Sequence, residues 1–172
     1  MRTLMNLTKE ERDMRTILMA MAAALAAGGM TASALAQDAF DACEIFTQAE
    51  AEKALGVSVT PEPVNPKVKR PKVIPTCTWW GSKDGKPVSA STTFRTARTD
   101  ADAQRAFGEE KFRFQSKPML IDGAPAFWSA KQGALHLLKG RTWIAVAVGG
   151  AKPADRDIEA SRKLAEAMAK KL

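Results

Sequence analysis

The stretch TCTWWGSKDGKPVSASTTFRTA, residues 76–97, contains two alternating runs that are separated by Lys-Asp-Gly. Alternating runs joined by a turn signal of this kind predict a β-hairpin, and therefore an antiparallel sheet. In the second run Val88 and Phe94 share one face of the strand, whereas Thr93 and Arg95 share the other. Because side chains alternate across a strand, the hairpin is predicted to bury one face and to expose the opposite one.

The segments on either side of this hairpin supply the other elements of the predicted fold. Helical periodicity with capping residues predicts helices, and alternation bounded by glycine or proline predicts strands. The predicted elements are, in chain order, a helix over residues 46–56, a strand over 57–64, strands over 76–82 and 87–97, a helix from Thr99 or Asp100 to about Gln115, strands over 124–130, 134–140 and 141–150, and a helix over 158–172. This α-β-β-β-α-β-β-β-α order predicts a two-layer α+β domain, in which an antiparallel sheet carries its helices on one face.

Local signals add detail to three of these elements. Thr47 followed by Glu50 predicts a capping box at the start of the first helix, and Gly56 predicts its end. Gly108 lies within the middle helix, which it is expected to weaken by about 1 kcal/mol relative to alanine. The run 141–150 is apolar on both faces, which is typical of a central strand.

A secretory leader is predicted ahead of the domain. Arg15 is followed by an uncharged apolar run over residues 17–27 and then by small residues that end at Ala36, which is the three-part layout of a signal peptide. This run of eleven residues is too short for a membrane anchor, since spanning a bilayer takes about 20 residues. We therefore expect residues 1–36 to be a leader cleaved after Ala36, and residues 37–172 to form a single secreted domain.

Two details of this leader bear on where the protein resides. The first thirteen residues include Glu10 and Glu11, which do not suit a positively charged leader, so translation is expected to start at Met14. Asp41 lies two positions before Cys43 and does not suit a lipoprotein processing site, which takes small apolar residues there. The mature protein is therefore expected to be periplasmic or secreted, with no transmembrane segment.

The chain has two cysteines, Cys43 and Cys77. In an oxidising compartment such a pair is most simply a disulfide, and the Cys-x-x-Cys spacing of redox-active pairs is absent. The two positions are 34 residues apart, and the chain-entropy model assigns a loop of this length a stabilisation of about 3 to 4 kcal/mol. A structural disulfide between Cys43 and Cys77 is therefore predicted.

The charge of the expected mature chain points to a class of partner. It has 22 basic and 16 acidic residues, which gives a net charge of +6. Outside the cytoplasm a basic protein meets anionic polymers and acidic proteins far more often than nucleic acid. An acidic envelope protein or an anionic envelope polymer is therefore the expected partner, and plain solubility is the alternative explanation of the charge.

Five stretches of the chain resemble a known group of proteins. They are DACEIFTQAEAEKALGVSV (41–59), CTW (77–79), IDGAPAFW (121–128), LHLLKGRTWIAVAV (135–148) and ASRKLAEAMAKKL (160–172). They are similar to a loose group of secreted bacterial domains of unknown function, which includes small envelope lipoproteins and extracellular sensor-like domains of receptor kinases. The chain departs from that group in having no lipid-attachment cysteine and a shortened turn at residues 123–125. The resemblance supports the disulfide and the fold, implies binding or sensing, and implies no catalytic residue.

Catalytic and metal-binding patterns are absent from the sequence. His136 is the single histidine, and on a strand it shares a face with Ala134 and Leu138, which favours a packing role. No serine lies in a Gly-x-Ser-x-Gly turn, and no histidine–cysteine cluster has metal-ligand spacing. We therefore expect a protein that is not an enzyme and that needs no cofactor.

A tryptophan pair and a basic segment remain as binding features. Trp79 and Trp80 are neighbours on a predicted strand, so at most one indole can enter the main core and the other is either covered elsewhere or exposed. The segment before this strand is rich in proline, which favours an extended and semi-rigid chain, and a solvated connector is the alternative. The candidate binding surface comprises Lys67, Lys69, Arg70, Lys72, Trp79 and Trp80.

Three classes of function follow from these features. A non-catalytic extracytoplasmic binding or sensor-like module leads, an interaction protein or inhibitor that docks on another envelope protein comes next, and an unrecognised hydrolase comes third. An uncovered tryptophan beside a basic rim would favour docking, and an enclosed apolar pocket would favour a small ligand. Paired carboxylates in a cleft, or a catalytic partner for His136, would favour an enzyme.

Overall fold

Six antiparallel strands form one sheet in the computed structural model, which describes residues 41–63 and 74–172. The strands are β1 (Thr76–Lys83), β2 (Lys86–Thr96), β3 (Pro118–Ile121), β4 (Ala124–Ser129), β5 (Ala134–Lys139) and β6 (Thr142–Gly150). Their order across the sheet is β1-β2-β6-β5-β4-β3. The predicted antiparallel sheet of an α+β fold is thus confirmed, and the apolar run over residues 141–150 forms the strand between β2 and β5.

The predicted hairpin is present with the expected turn. β1 pairs with β2 in a register that places Lys83 opposite Lys86 and Trp80 opposite Ser89. The two turn residues, Asp84 and Gly85, have φ angles of 53° and 73°. Positive φ at both central residues is the requirement of the tight turn that matches the twist of a hairpin, and Asp-Gly meets it.

Three helices pack on the first face of the sheet. They are α1 (Ala42–Ile45), α2 (Gln48–Leu55) and α4 (Ile158–Ala169), and a short 3-10 turn at Pro153–Asp155 precedes the last. The main core lies between these helices and the strands, and its largest fully buried side chains include Phe46, Phe94, Ile144 and Met168. As predicted, Glu50 accepts a hydrogen bond from the backbone N–H of Thr47 at 3.0 Å, and α2 ends at Gly56 with a φ of 69°.

The prediction that all helices lie on one face is wrong. α3 (Asp100–Arg113) packs on the second face, where Phe107 contacts the rings of Phe127 and Trp143 at centroid distances of 4.9 and 5.8 Å. Phe127 and Trp143 alternate with strand residues that enter the main core, so they point to the opposite side of the sheet. Their bulk leaves a second apolar patch on that side, and α3 covers it.

The predicted strand over residues 57–64 is also wrong within the described residues, which end there at Pro63. Only an isolated bridge forms, between Val59 and Gly81, and the backbone N–H of Thr60 donates to the carbonyl of Trp80 at 2.8 Å. Pro61 follows directly, and a proline has no N–H with which to continue a ladder. Residues 59–60 are therefore a short contact on the edge of β1.

Two short elements were not predicted from the sequence, namely α1 and β3. β3 pairs with β4 through a turn at Asp122 and Gly123, whose φ angles are 48° and 78°. This is a second Asp-Gly hairpin turn, so the observed element order is α-α-β-β-α-β-β-β-β-α. No helix of the described residues is long and apolar enough to cross a membrane. The predicted leader over residues 1–36 lies outside the described residues.

Candidate binding surface

Among the described residues, α3 covers only part of the second face of the sheet. α3 packs over the apolar patch of β4, β5 and β6, whereas the β1–β2 half of this face carries small polar side chains. There the hydroxyls of Thr78 and Ser91 are 2.9 Å apart and those of Thr76 and Thr93 are 3.1 Å apart. These hydroxyls satisfy one another's hydrogen bonding across the strands. They form a polar surface that does not have to be buried under another element.

The two tryptophans of β1 lie on opposite faces, as predicted. Trp79 is 6% exposed in the main core, and its indole N–H donates to the carbonyl of Phe46 at 3.1 Å. Trp80 is 38% exposed and stands on the second face at the outer strand of the sheet. Of the two indoles in the candidate binding surface, Trp80 is therefore the one that a partner can reach, and Trp79 is a core residue.

The predicted disulfide joins the start of the domain to the same strand. Cys43 and Cys77 are bonded, with their Cα atoms 5.1 Å apart. Cys77 shares the core face with Trp79, so the bond holds α1 against β1 from the side opposite Trp80. A disulfide of this kind indicates an oxidising, extracytoplasmic compartment.

The four basic residues of the candidate surface, Lys67, Lys69, Arg70 and Lys72, lie outside the described residues. The described chain on either side of them is attached to the hairpin at two points. Before the gap, Thr60 bonds to the Trp80 carbonyl, and after it the Pro75 carbonyl accepts from the Phe94 N–H at 3.0 Å. The described residues that flank the basic segment are therefore bonded to the hairpin, Thr60 to β1 and Pro75 to β2.

A recess of about 220 Å³ opens on the same face, between the sheet and the C-terminal half of α3. Its polar and aromatic lining is Thr93, Arg95, Glu110, Gln132, His136 and Trp143, and two alanines lie between them. Arg95 is six positions along β2 from the residue that pairs with Trp80, a separation of about 20 Å along the strand. The recess and Trp80 therefore lie near opposite ends of one surface.

His136 is a fixed, neutral member of this recess. It is 3% exposed and stacks on Phe127 at a centroid distance of 4.5 Å. The indole N–H of Trp143 donates to its Nδ1 at 3.1 Å, and its Nε2 lies 2.8 Å from Oε1 of Gln132. Burial, and secondarily the charge of Arg95, lowers the pKa of His136 to about 4. The predicted packing role of His136 fits these contacts, which include no carboxylate.

Arg95 is the cation of the recess. Its guanidinium carbon lies 4.7 Å from the centre of the Trp143 ring, and among the described residues no carboxylate forms an ion pair with it. Glu110, which also lines the recess, is paired instead with Arg113 at 3.1 Å. Within the part of the chain that the structure describes, the recess therefore holds one positive group, Arg95, that has no ion-pair partner.

Sequence reasoning did not find this recess. Arg95 was placed correctly on the exposed face of β2, but Gln132 lies in a turn and Glu110 lies on a helix that was assigned to the opposite face. One signal was available, because Arg95 lies near the end of β2 and pairs with Trp143, and an arginine is an unusual neighbour for an apolar patch. The distance between these residues in sequence hides their proximity in space.

A larger groove of about 520 Å³ lies on the first face, between α2 and α4. Its charged lining is Glu50, Lys53, Asp157, Glu159 and Lys163. Glu50 is already paired with Lys171 at 2.7 Å, and the remaining charges are of both signs. In the described residues no group of three or more histidine, cysteine or acidic side chains has an arrangement that holds a metal ion. This groove therefore offers no concentrated charge.

Comparison with known proteins identifies a family for this fold. No curated protein and no solved structure matches the chain. The model of the family described as "Protein of unknown function (DUF3558)" matches residues 20–170, which include every described element of the domain. The chain belongs to this family of domains of unknown function.

Proposed function

We propose that the domain is a non-catalytic extracytoplasmic binding module that holds an anionic partner on the second face of its sheet. The observation that carries this proposal is the exposure of Trp80 on the half of that face that α3 does not cover. The indole of Trp80 is 38% exposed beside a surface of small polar side chains, so it offers contact area to a partner. The main core does not need it, because Trp79 already fills the equivalent position on the other side of β1.

The charge of the neighbouring segment supports an anionic partner. Lys67, Lys69, Arg70 and Lys72 lie between two attachment points on the hairpin, at Thr60 and Pro75. A segment tethered at both ends loses less conformational entropy on binding than a free one. Basic side chains steer an anionic surface toward the domain, and the Trp80 indole then supplies contact. The partner is an acidic envelope protein or an anionic envelope polymer.

Three observations weigh against the hydrolase. His136, the single histidine, has both ring nitrogens engaged, one by Trp143 and the other by Gln132. Its pKa of about 4 leaves it a weak base at neutral pH. Glu110, the acidic residue of the recess lining, is paired with Arg113. These contacts support binding without chemistry.

The proposal is tested by capturing components of a cell-envelope fraction on the immobilised protein, at low and at moderate salt. We expect capture by the parent protein to fall as salt rises, because salt screens exposed charges. Trp80→Ala should lower capture at both salt concentrations. Replacing the four basic residues by glutamine should lower capture mainly at low salt. Phe112→Ala, at an 85% exposed position on α3, is the matched control and should capture as the parent does.

Protease treatment of the envelope fraction separates the two classes of partner, since it destroys an acidic protein and leaves a polymer intact. Capture that survives both the Trp80 and the quadruple substitution, with no salt dependence in the parent, would refute docking on this surface. In that event the basic segment is a solvated connector.

A further inference from the structure

We propose that the recess beneath α3 is a binding site for a single carboxylate group, carried by a small organic acid or by an acidic side chain. The site goes beyond the docking at Trp80, from which it is separated by about 20 Å along β2. It stands on its own contacts and does not require that docking to be correct. The argument rests on the donors that face the recess, on its one unpaired cation and on its size.

The hydrogen bonds of His136 fix which groups of the recess remain available. An indole N–H can only donate, so Nδ1 of His136 accepts from Trp143 and carries no proton. The neutral ring then carries its proton on Nε2, which donates to Oε1 of Gln132 at 2.8 Å. With its oxygen engaged in this way, Gln132 has its NH₂ group free to donate. The hydrogen bonds from Trp143 to His136 and from His136 to Gln132 therefore occupy the acceptor of the Gln132 amide. This leaves the amide as a hydrogen-bond donor to a ligand in the recess.

Arg95 adds a charged donor in a fixed position. Its guanidinium lies over the Trp143 ring at 4.7 Å, which orients the group while leaving its N–H bonds for another partner. A planar guanidinium matches the two oxygens of a carboxylate, and such paired hydrogen bonds are stronger than neutral ones. The hydroxyl of Thr93, on the same face of β2, is a third polar group in the lining.

Glu110 is the one acidic group among the described residues that line the recess, and it is paired with Arg113 on the same helix. Its side chain is 14% exposed, and it accepts from Arg113 at 3.1 Å. Arg95 has no such partner among the described residues. The guanidinium of Arg95 therefore remains available to a ligand with one negative charge.

The size of the recess limits the ligand to a small group. Its volume of about 220 Å³ is below the roughly 300–1,000 Å³ of pockets that bury drug-sized ligands. The Trp143 ring and the side chains of Ala134 and Ala145 supply apolar surface beside the donors. A carboxylate with a short apolar stem fits this combination of charge and volume.

The test is a set of nuclear magnetic resonance titrations of the purified ¹⁵N-labelled protein. The resonances to follow are the side-chain N–H groups of Arg95, Gln132 and Trp143. One arm uses acetate and benzoate, with benzamide as the neutral analogue of benzoate. A second arm uses a blocked tripeptide with a central glutamate, compared with its glutamine counterpart. Inorganic phosphate is the third probe.

We expect the acids to shift these three resonances with saturation, and benzamide and the glutamine peptide to leave them unchanged. Arg95→Gln should weaken binding about tenfold or more, because it removes a charged hydrogen bond to the ligand. Arg98→Gln makes the same change of charge at an exposed position outside the recess, and it should bind as the parent does. Arg95→Lys should restore part of the affinity, since it keeps the charge and loses the planar pair of donors.

The two arms also identify the source of the carboxylate. Binding of acetate or benzoate alone assigns the site to small organic acids, and binding of the glutamate peptide alone assigns it to an acidic side chain. The inference is overturned if neither arm shifts the three resonances, if benzamide binds as well as benzoate, if phosphate binds more tightly than every carboxylate, or if Arg95→Gln binds as the parent does. None of these outcomes depends on Trp80, so the docking proposal is judged separately.

Discussion

At the scale of single residues, His136 shows how burial decides protonation. The ring is enclosed by Phe127 and Trp143, and the charged groups near it are Arg95 on β2 and Glu110 on α3. Burial and the Arg95 charge lower its pKa from 6.5 to about 4. The unfolded chain therefore binds a proton between these pH values that the folded chain does not bind, and the folded state loses stability as pH falls through this window.

We predict that the free energy of unfolding falls by about 3 kcal/mol between pH 6.5 and pH 4 through this group, a loss that follows from the lowered pKa. Because His136 is the single histidine, its ring resonance can be followed without assignment, and its titration midpoint should lie near pH 4. Urea unfolding at several pH values measures the linked loss, which should shrink in His136→Gln. A ring that titrates near pH 6.5 in the folded protein would contradict this reading.

The sequence predicted the residues of the core better than those of the recess. Alternation placed Phe94 inside and Arg95 outside, because the period of a strand is fixed by its geometry. It also separated Trp79 from Trp80. Whether Trp80 is covered depends on residues far away in the chain, and no local pattern reports that. For the same reason, no local pattern predicts that Arg95, Gln132 and Glu110 line one recess.

At the scale of elements, Asp-Gly pairs are the most informative local signal for hairpins in this chain, and only one of the two pairs led to a predicted hairpin. Asp84-Gly85 was read as a hairpin turn, and the structure confirms it. Asp122-Gly123 has the same residues and the same positive φ angles, yet the four-residue strand before it, β3, was missed because its run is too short to show alternation. Conversely, alternation over residues 57–64 predicted a strand that the prolines interrupt.

α3 offers a direct test of element-scale reasoning at Gly108. This glycine lies inside the helix, its φ is ordinary, and an added Cβ would meet no atom within 4 Å. We predict that Gly108→Ala raises the free energy of unfolding by about 1 kcal/mol, because alanine loses less conformational freedom in a helix. Gly123→Ala is the matched control, since it too has open space but a φ of +78°, and it should destabilise. Chemical denaturation of both variants measures the difference. Equal effects of the two substitutions would mean that backbone conformation does not determine whether replacing glycine by alanine raises or lowers the free energy of unfolding.

At the scale of the whole molecule, the antiparallel α+β sheet followed from the sequence and the placement of α3 did not. The runs 134–140 and 141–150 carry apolar residues on both faces, so other elements have to pack on both sides of the sheet to bury them. That requirement conflicts with a two-layer domain, and the structure resolves it by placing α3 over Phe127 and Trp143. As far as the structure describes it, the remaining half of that face carries small polar side chains beside the partly exposed indole of Trp80.

The disulfide is predicted to stabilise the whole domain. It closes a 34-residue loop that contains α2 and the basic segment, so the chain-entropy model expects its removal to cost about 3 to 4 kcal/mol. The double variant Cys43→Ala/Cys77→Ala removes the bond without leaving a lone thiol. Urea unfolding of this variant and of the unreduced parent gives the difference. A parent protein that labels with a thiol reagent after unfolding without reductant would show that the bond is not formed.

The most direct test of the proposed binding face is to map where an anionic probe contacts the folded protein. The measurement is chemical-shift mapping of the purified ¹⁵N-labelled protein during titration with poly-L-glutamate at low salt. We predict that the largest shifts fall on the second face, at Thr78, Trp80 and Ser91, and that added salt reverses them. Shifts confined to the groove between α2 and α4 on the first face, or no shift at Trp80, would contradict the assignment of binding to this surface.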